Sequence, residues 1–126
     1  MTTRLVLLGA LAVVAFTAGC TADAEERRHV TLAELPGAGR NAGGVWESAP
    51  WTGTSWVSYT GHLTLQVDHG LGDRPNAVLT YLAFDPSGAG SGLAAGDLAR
   101  VIDVTDTSVT IRNDTDGDYF VRLVLE

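Results

Sequence analysis

The stretch HLTLQVDHGLGDRPNAVLTYLAFD (62–85) contains two strand patterns joined by a turn rich in glycine and proline. In its first part, apolar residues occupy every second position, at Leu63, Leu65 and Val67. Side chains alternate between the two faces of a strand, so this pattern predicts a strand with one buried face. The second part, AVLTYLAFD (77–85), is apolar on both faces. It predicts a strand that is central in its sheet or covered by a partner chain.

The turn between the two strands begins at His69 and contains Gly70, Gly72 and Pro75. Glycine permits the positive φ that a chain reversal requires, and proline fixes its own φ before the next strand. The alternation places His69 on the apolar face of the first strand. We expect its ring to close that face by donating an N–H to a backbone carbonyl of the following turn. Ligand binding by His69 is the alternative.

The rest of the chain beyond the N-terminal segment repeats short strand patterns and shows no convincing helical periodicity. Aromatic and β-branched runs separated by turn residues lie at 44–48, 54–60, 98–106, 108–114 and 118–126. Tight links between the last three runs predict a meander. Short strands at this spacing predict an all-β domain, either a small antiparallel β-sandwich or a barrel.

The N-terminal segment has the features of an export signal. One arginine precedes the apolar run LVLLGALAVVAF (5–16), which is short of the roughly 20 apolar residues that a spanning helix needs. The small residues and cysteine of AGC (18–20) follow. This pattern resembles the lipobox that ends a bacterial lipoprotein signal peptide. The resemblance implies that residues 1–19 are removed and that Cys20 becomes the acylated N-terminus.

The same resemblance predicts where the mature chain lies and how it is organised. Acylated Cys20 would anchor it to membrane lipid in the bacterial cell envelope, since two or more acyl chains hold a protein stably on a bilayer. Thr21, in place of Asp, implies the outer membrane. We expect a signal peptide at 1–19, the acylated Cys20 with a tether and an edge strand or adhering segment at 20–43, and a β-sandwich domain at 44–126.

The charge balance argues against nucleic acid as a partner. The chain of 126 residues has 15 acidic and 8 basic residues, a formal net charge of −7, and all its basic residues are arginine. An acidic protein repels the phosphate backbone electrostatically.

The turn also carries a second resemblance. HGLGDRPNAV (69–78) is similar to the strand–turn–strand element HGLG-x-x-P-x-x-V of some phage tail-fibre and related exported β-modules. The ending RNDTDGDYFVRLVL (112–125) looks like the final hairpin of such modules. The resemblance implies a compact β-module that binds or assembles, and it carries over no catalytic residue.

Three evenly spaced tryptophans suggest a binding surface. Trp46 and Trp56 lie within strand patterns, and we expect them to be buried. Trp51 follows Pro50 in a turn, and we expect it to be exposed. An exposed indole ring brings a large contact area at low entropic cost and can stack on a sugar or dock a protein.

Asp114, Asp116 and Asp118 stand at alternate positions in NDTDGD (113–118). Calcium loops space carboxylates in this way, so weak metal binding is one interpretation. Asp and Gly are also the residues that turns favour, and we prefer the turn interpretation. We predict no cofactor.

These features favour a non-enzymatic, membrane-anchored module that binds a surface protein or glycan, or that associates with itself as a homo-oligomer. The alternative is a small hydrolase or metal-dependent enzyme that uses His62, His69 and nearby aspartates. Alternation places the two histidines on opposite faces of their strand, which disfavours a shared metal.

Overall fold

The computed structural model describes residues 26–52 and 54–126, which form two β-sheets. The strands are β1 (Arg27–Val30), β2 (Gly39–Arg40), β3 (Trp46–Glu47), β4 (Val57–Tyr59), β5 (Thr64–Asp68), β6 (Val78–Ala83), β7 (Gly92–Ala94), β8 (Arg100–Val104), β9 (Ser108–Arg112) and β10 (Tyr119–Leu125). Single turns of 3₁₀-helix at Leu32–Glu34 and Gly96–Leu98 are the helical elements of this part of the chain. The predicted all-β fold is confirmed.

The two sheets form the layers of a small sandwich. The first sheet has the order β1-β5-β9-β8, and the second has the order β2-β3-β10-β6-β7, with β4 also paired to β10. All the pairs are antiparallel except β1 with β5, which are parallel. Between the layers lies one main apolar core, to which both sheets contribute.

The core follows the alternation of the strands. In β10, Val121, Leu123 and Leu125 are buried in it, and Leu65 and Val67 of β5 contribute from the opposite sheet. Burying a side chain of this size stabilises the fold by about 1.5–3 kcal/mol. The half-buried pattern predicted for the first strand of 62–85 is therefore confirmed.

The strand that is apolar on both faces is central, as predicted. β6 lies between β10 and β7 in the second sheet. Leu82 faces the main core, whereas Ala83 belongs to a smaller cluster with Ala49 and Trp56 on the other side of the sheet. Phe84 differs from the expectation, because it follows the last residue of β6 and its side chain is 80% exposed.

The predicted meander of the last three strands is wrong in its final link. β8 and β9 do form an antiparallel hairpin, but β10 lies in the other sheet, antiparallel to β6. The segment 113–118 therefore crosses between the sheets and does not close a final hairpin. An alternating strand satisfies the apolar face of either sheet, so alternation alone does not determine its partner.

The sequence placed the start of the β-sandwich domain at residue 44, but the fold begins earlier in the chain. β1 forms the edge of the first sheet, with Val30 buried in the core. Leu35, after the first 3₁₀ turn, is buried in the same core. The segment 86–97, which contains none of the strand patterns noted in the sequence, includes the short edge strand β7.

Two crossings between the sheets are tied together by one buried side chain, Asn113. Its Nδ2 donates to the carbonyl oxygens of Thr60, between β4 and β5, and Gly117, between β9 and β10, at 3.1 and 2.8 Å. Its Oδ1 accepts from the backbone N–H and the hydroxyl of Thr115, at 3.0 and 2.6 Å. The backbone N–H of Asn113 donates to the carbonyl of Leu63 at 3.0 Å. This corner closes one end of the sandwich.

Tyr59 lies fully buried near this corner, and its hydroxyl has no hydrogen-bond partner among the residues that the structure describes. Burial, with a smaller contribution from the Asp114 carboxylate, raises the pKa of Tyr59 well above its usual value near 10. The unfolded chain ionises Tyr59 more easily than the folded chain does. The contribution of neutral, buried Tyr59 to the free energy of unfolding is therefore fully present below about pH 10. It is lost as the pH rises beyond that value.

We predict that Tyr59→Phe leaves the free energy of unfolding at pH 7 unchanged or raises it by up to about 1 kcal/mol, because it removes an unpaired buried hydroxyl. The wild type should lose stability more steeply than the variant above pH 10, by up to about 1.4 kcal/mol per pH unit. Urea unfolding between pH 7 and 11.5 measures both effects. Parallel pH profiles, or a loss above about 2 kcal/mol at pH 7, would contradict the assignment.

Candidate functional site

The outer face of the second sheet carries aromatic and apolar side chains. The strand register places Arg122, Tyr81 and Leu93 side by side across β10, β6 and β7. Since Val121 and Leu123 face the core, this row faces away from it. The connection between β3 and β4 folds over the row and places Trp51 on it.

We call Trp51, Trp56, Tyr81 and Arg122 the aromatic platform. The ring of Trp51 meets that of Tyr81 edge to face, with centroids 4.8 Å apart, and lies at 6.0 Å from that of Trp56. The guanidinium carbon of Arg122 lies 3.9 Å from the Trp51 ring centroid and 5.7 Å from that of Tyr81. These distances suit cation–π contacts. The indole ring of Trp51 is therefore held in place by Trp56, Tyr81 and Arg122 together.

Arg122 is the centre of the platform although it is only 2% exposed. Its Nε donates to the carbonyl of Ala49 at 2.6 Å, and its Nη2 pairs with the carboxylate of Glu47. Its Nη1 has no hydrogen-bond partner within the described part of the chain. Removing one partner of a buried ion pair costs about 3–5 kcal/mol. The contacts of Arg122 with Glu47 and Ala49 therefore hold the loop that contains Trp51 against the sheet beneath it.

The tryptophans have the exposures that the sequence predicted. Trp46 and Trp56 are buried, and Trp51 is 50% exposed. Leu93, beside Tyr81, is 64% exposed and extends the apolar surface towards the edge of the sheet. A surface of this kind on a small protein marks a binding site more often than a scattered apolar residue does.

His69 is buried and bridges two turns. Its Nδ1 accepts from the backbone N–H of Leu71 at 3.0 Å, so the ring is neutral and its proton is on Nε2. Nε2 donates to the carbonyl of Thr105 at 3.0 Å, in the turn between β8 and β9. The ring N–H thus reaches a different turn from the one expected, and Nδ1 contacts the turn that follows the histidine. The ring also packs edge-on against Trp46, with centroids 6.2 Å apart.

The histidines do not form one catalytic group. Both ring nitrogens of His69 are bonded to backbone groups, which leaves it no atom for a substrate or metal. His62 lies before β5 and its Nε2 is 2.6 Å from an oxygen of Asp116. His29 of β1 bonds Asp68 at 2.9 Å. Each histidine thus has its own partners at a different place in the fold.

The three aspartates of 113–118 take separate partners. Asp114 forms ion pairs with two arginines, one on β8 and one on β9. Asp116 bonds His62, and Asp118 accepts from the backbone N–H of Gly61 at 2.9 Å. No group of three or more His, Cys, Asp or Glu within residues 26–52 and 54–126 is arranged to hold a metal ion. The metal interpretation of these aspartates is therefore not supported, and they act in the crossing between the sheets.

Cys20, the predicted lipidation site, lies outside the residues that the structure describes, as does the whole of 1–25. Among the described residues, no helix is long and apolar enough to cross a membrane.

Sequence reasoning missed Arg122. The signal was present, because an arginine interrupts the apolar run YFVRLVL (119–125). Its carboxylate partner, Glu47, lies 75 residues away in the chain, so no local pattern connects them.

Comparison with known proteins identifies no relative. No protein-family model matches the chain, and no curated protein or solved structure matches it.

Proposed function

We propose that this chain is an exported bacterial lipoprotein whose non-enzymatic β-sandwich binds a glycan at the envelope surface through the aromatic platform. The observation that carries the proposal is the half-exposed ring of Trp51, held over the buried guanidinium of Arg122 and against Tyr81. An aromatic ring fixed in this way needs little further ordering when a ligand stacks on it, and ordering is a main cost of binding.

A sugar ring suits this surface better than an extended peptide. The platform offers the half-exposed ring of Trp51, and the guanidinium of Arg122 beneath it is buried and paired with Glu47. Sugars present apolar C–H faces, and these match the exposed part of an indole ring. Leu93 and Tyr81 provide further contact area along the same row.

A non-enzymatic role fits the side chains best. His69 is engaged by two backbone groups, and His62 and Asp116 form a pair on the corner between the sheets. Acid–base catalysis needs groups that reach one reacting atom, and these groups have separate structural partners. We therefore prefer binding to the alternative of a small hydrolase or metal-dependent enzyme.

The test of the platform also distinguishes two other occupants, a surface protein and a second copy of this chain. The net charge of −7 opposes close approach of two copies, which favours the glycan.

We predict that Trp51→Ala in the full chain, kept in a non-ionic detergent, loses at least about 2 kcal/mol of glycan affinity on an envelope-glycan array, the loss typical of a central aromatic contact. Phe84→Ala is the matched control, because Phe84 is also an exposed aromatic but contacts Tyr119, at 5.5 Å between ring centroids. It should bind normally.

Equal binding by wild type and Trp51→Ala would refute the role of the platform. If no glycan binds, light scattering decides the second-copy alternative: dimers that Trp51→Ala abolishes would replace the glycan with self-association. If the protein is a monomer and binds no glycan, the remaining role for the platform is docking to a surface protein. The glycan proposal would then be wrong.

The anchor has a separate test. Mass spectrometry of the chain from a bacterial membrane fraction should show an N-terminus at Cys20 carrying two or more acyl chains, which is the number needed for stable anchoring. Cys20→Ser should keep the leader and carry no lipid. An unmodified chain that begins at Met1 would contradict the lipoprotein assignment.

A further inference from the structure

The outer face of the first sheet differs from the aromatic platform because it is polar and contains a cleft. The cleft has a volume of about 210 Å³ and lies over β1, β5 and β9. Its lining residues are Arg27, Arg28, His29, Thr64, Gln66 and Thr110. The strand register places Thr64 between a residue of β1 and a residue of β9. Arg28 pairs with the buried Leu65 and lies on the edge strand of the sheet, so it borders the cleft from that edge.

Thr64 carries a polar group that the fold leaves unsatisfied. The residue is 4% exposed, and its hydroxyl has no hydrogen-bond partner within residues 26–52 and 54–126. A buried polar group without a partner costs about 1–3 kcal/mol, so such groups need an explanation. The register places the side chains of Arg27 and Arg112 on either side of Thr64, on the same face.

The charge of the lining is opposite to that of the protein. The chain has 15 acidic and 8 basic residues, yet the cleft is lined by two arginines, a histidine and three uncharged polar residues, with no acid among them. Carboxylates border this lining: Asp68 bonds the His29 ring, and Glu34 interacts electrostatically with Arg28. Asp103 pairs in register with Thr110, and Asp114 forms an ion pair with Arg112. Glu34 also accepts hydrogen bonds from the backbone N–H and hydroxyl of Thr31, so it has local partners of its own.

We propose that this cleft binds a phosphate-type oxyanion, either a free phosphate or the phosphate of a lipid headgroup. The volume is below the roughly 300–1,000 Å³ of pockets for drug-sized ligands, so it admits a small group. Guanidinium, amide and hydroxyl donors approach from three strands. A planar carboxylate is satisfied by one arginine fork, whereas a tetrahedral oxyanion presents acceptors in several directions.

Arg28 and Thr64 have distinct roles in this site. Arg28 is exposed and supplies a charged donor at the rim. Thr64 supplies the buried hydroxyl at the base of the cleft. The site lies on the opposite sheet from Trp51 and does not depend on glycan binding.

The test titrates inorganic phosphate into the ¹⁵N-labelled full chain in a non-ionic detergent, with acetate at equal ionic strength as the reference anion. Amide shifts should saturate with phosphate at His29, Thr64, Gln66 and Thr110, and acetate should produce none of them. Arg28→Gln and Thr64→Val should each weaken binding by about tenfold or more, the effect of losing a hydrogen bond to a charged group.

Arg40→Gln is the matched control, because it removes the same charge from β2 of the other sheet. Its affinity should stay within about twofold of the wild type, since a distant surface charge is largely screened by salt. Thr64→Val keeps the shape of the side chain and removes only a hydroxyl without a partner, so we expect it to fold. If it does not, Arg28→Gln, on an exposed residue, still decides the outcome.

Phosphatidylglycerol vesicles distinguish the two sources. Sedimentation with vesicles that inorganic phosphate competes away, and that Arg28→Gln weakens, would assign a lipid headgroup. Saturable phosphate binding without vesicle binding would assign a free phosphate or phosphate ester. Shifts that are not localised to the cleft, or an equal loss in Arg40→Gln, would overturn the proposal.

Discussion

The sandwich depends on the corner that Asn113 builds. Within the described residues the chain passes between the sheets five times. This one buried amide bonds carbonyls of two of these crossings, from β4 to β5 and from β9 to β10. An alternating strand can pair in either sheet, so hydrophobic burial alone does not fix which sheet β10 joins. The hydrogen bonds of Asn113 favour one arrangement, because an alternative would leave its buried amide unsatisfied. At the other end of β5, His69 joins two further turns in the same manner.

Once the crossings are fixed, the two outer faces acquire different chemistry. On the second sheet, the buried pair of Arg122 and Glu47 holds a loop whose tryptophan is half exposed. On the first sheet, polar side chains surround a small cleft and the hydroxyl of Thr64, which has no hydrogen-bond partner in the part of the chain that the structure describes. Buried unsatisfied groups are few in folded proteins, and each is costly. We therefore propose a different ligand for each face, a sugar ring on the aromatic platform and a small oxyanion in the cleft.

Local patterns in the sequence predicted the individual strands and the exposure of individual side chains. Alternation predicted β5, and a run that is apolar on both faces predicted β6. Residue type with turn context predicted which tryptophan is exposed. Pairing over long distances was not predictable: the sheet that β10 joins and the partner of Arg122 both depend on residues far away in the chain. An edge strand was one alternative predicted within 20–43, and β1 is such a strand. Its bounds were not predictable, because Arg27–Val30 contains a single apolar residue and its strand character comes from pairing with β5.

The most direct test of the corner is native-state amide hydrogen exchange on Asn113→Ala, with Asn76→Ala, an exposed asparagine, as control. We predict that Asn113→Ala lowers the exchange free energies of the most protected amides of β5 and β10 together, by about 2–3 kcal/mol, because the loss of several buried hydrogen bonds weakens the whole fold. The control should change them by less than about 0.5 kcal/mol. A loss confined to the amides of 113–118, with β5 and β10 still fully protected, would contradict the dependence of the sandwich on this corner.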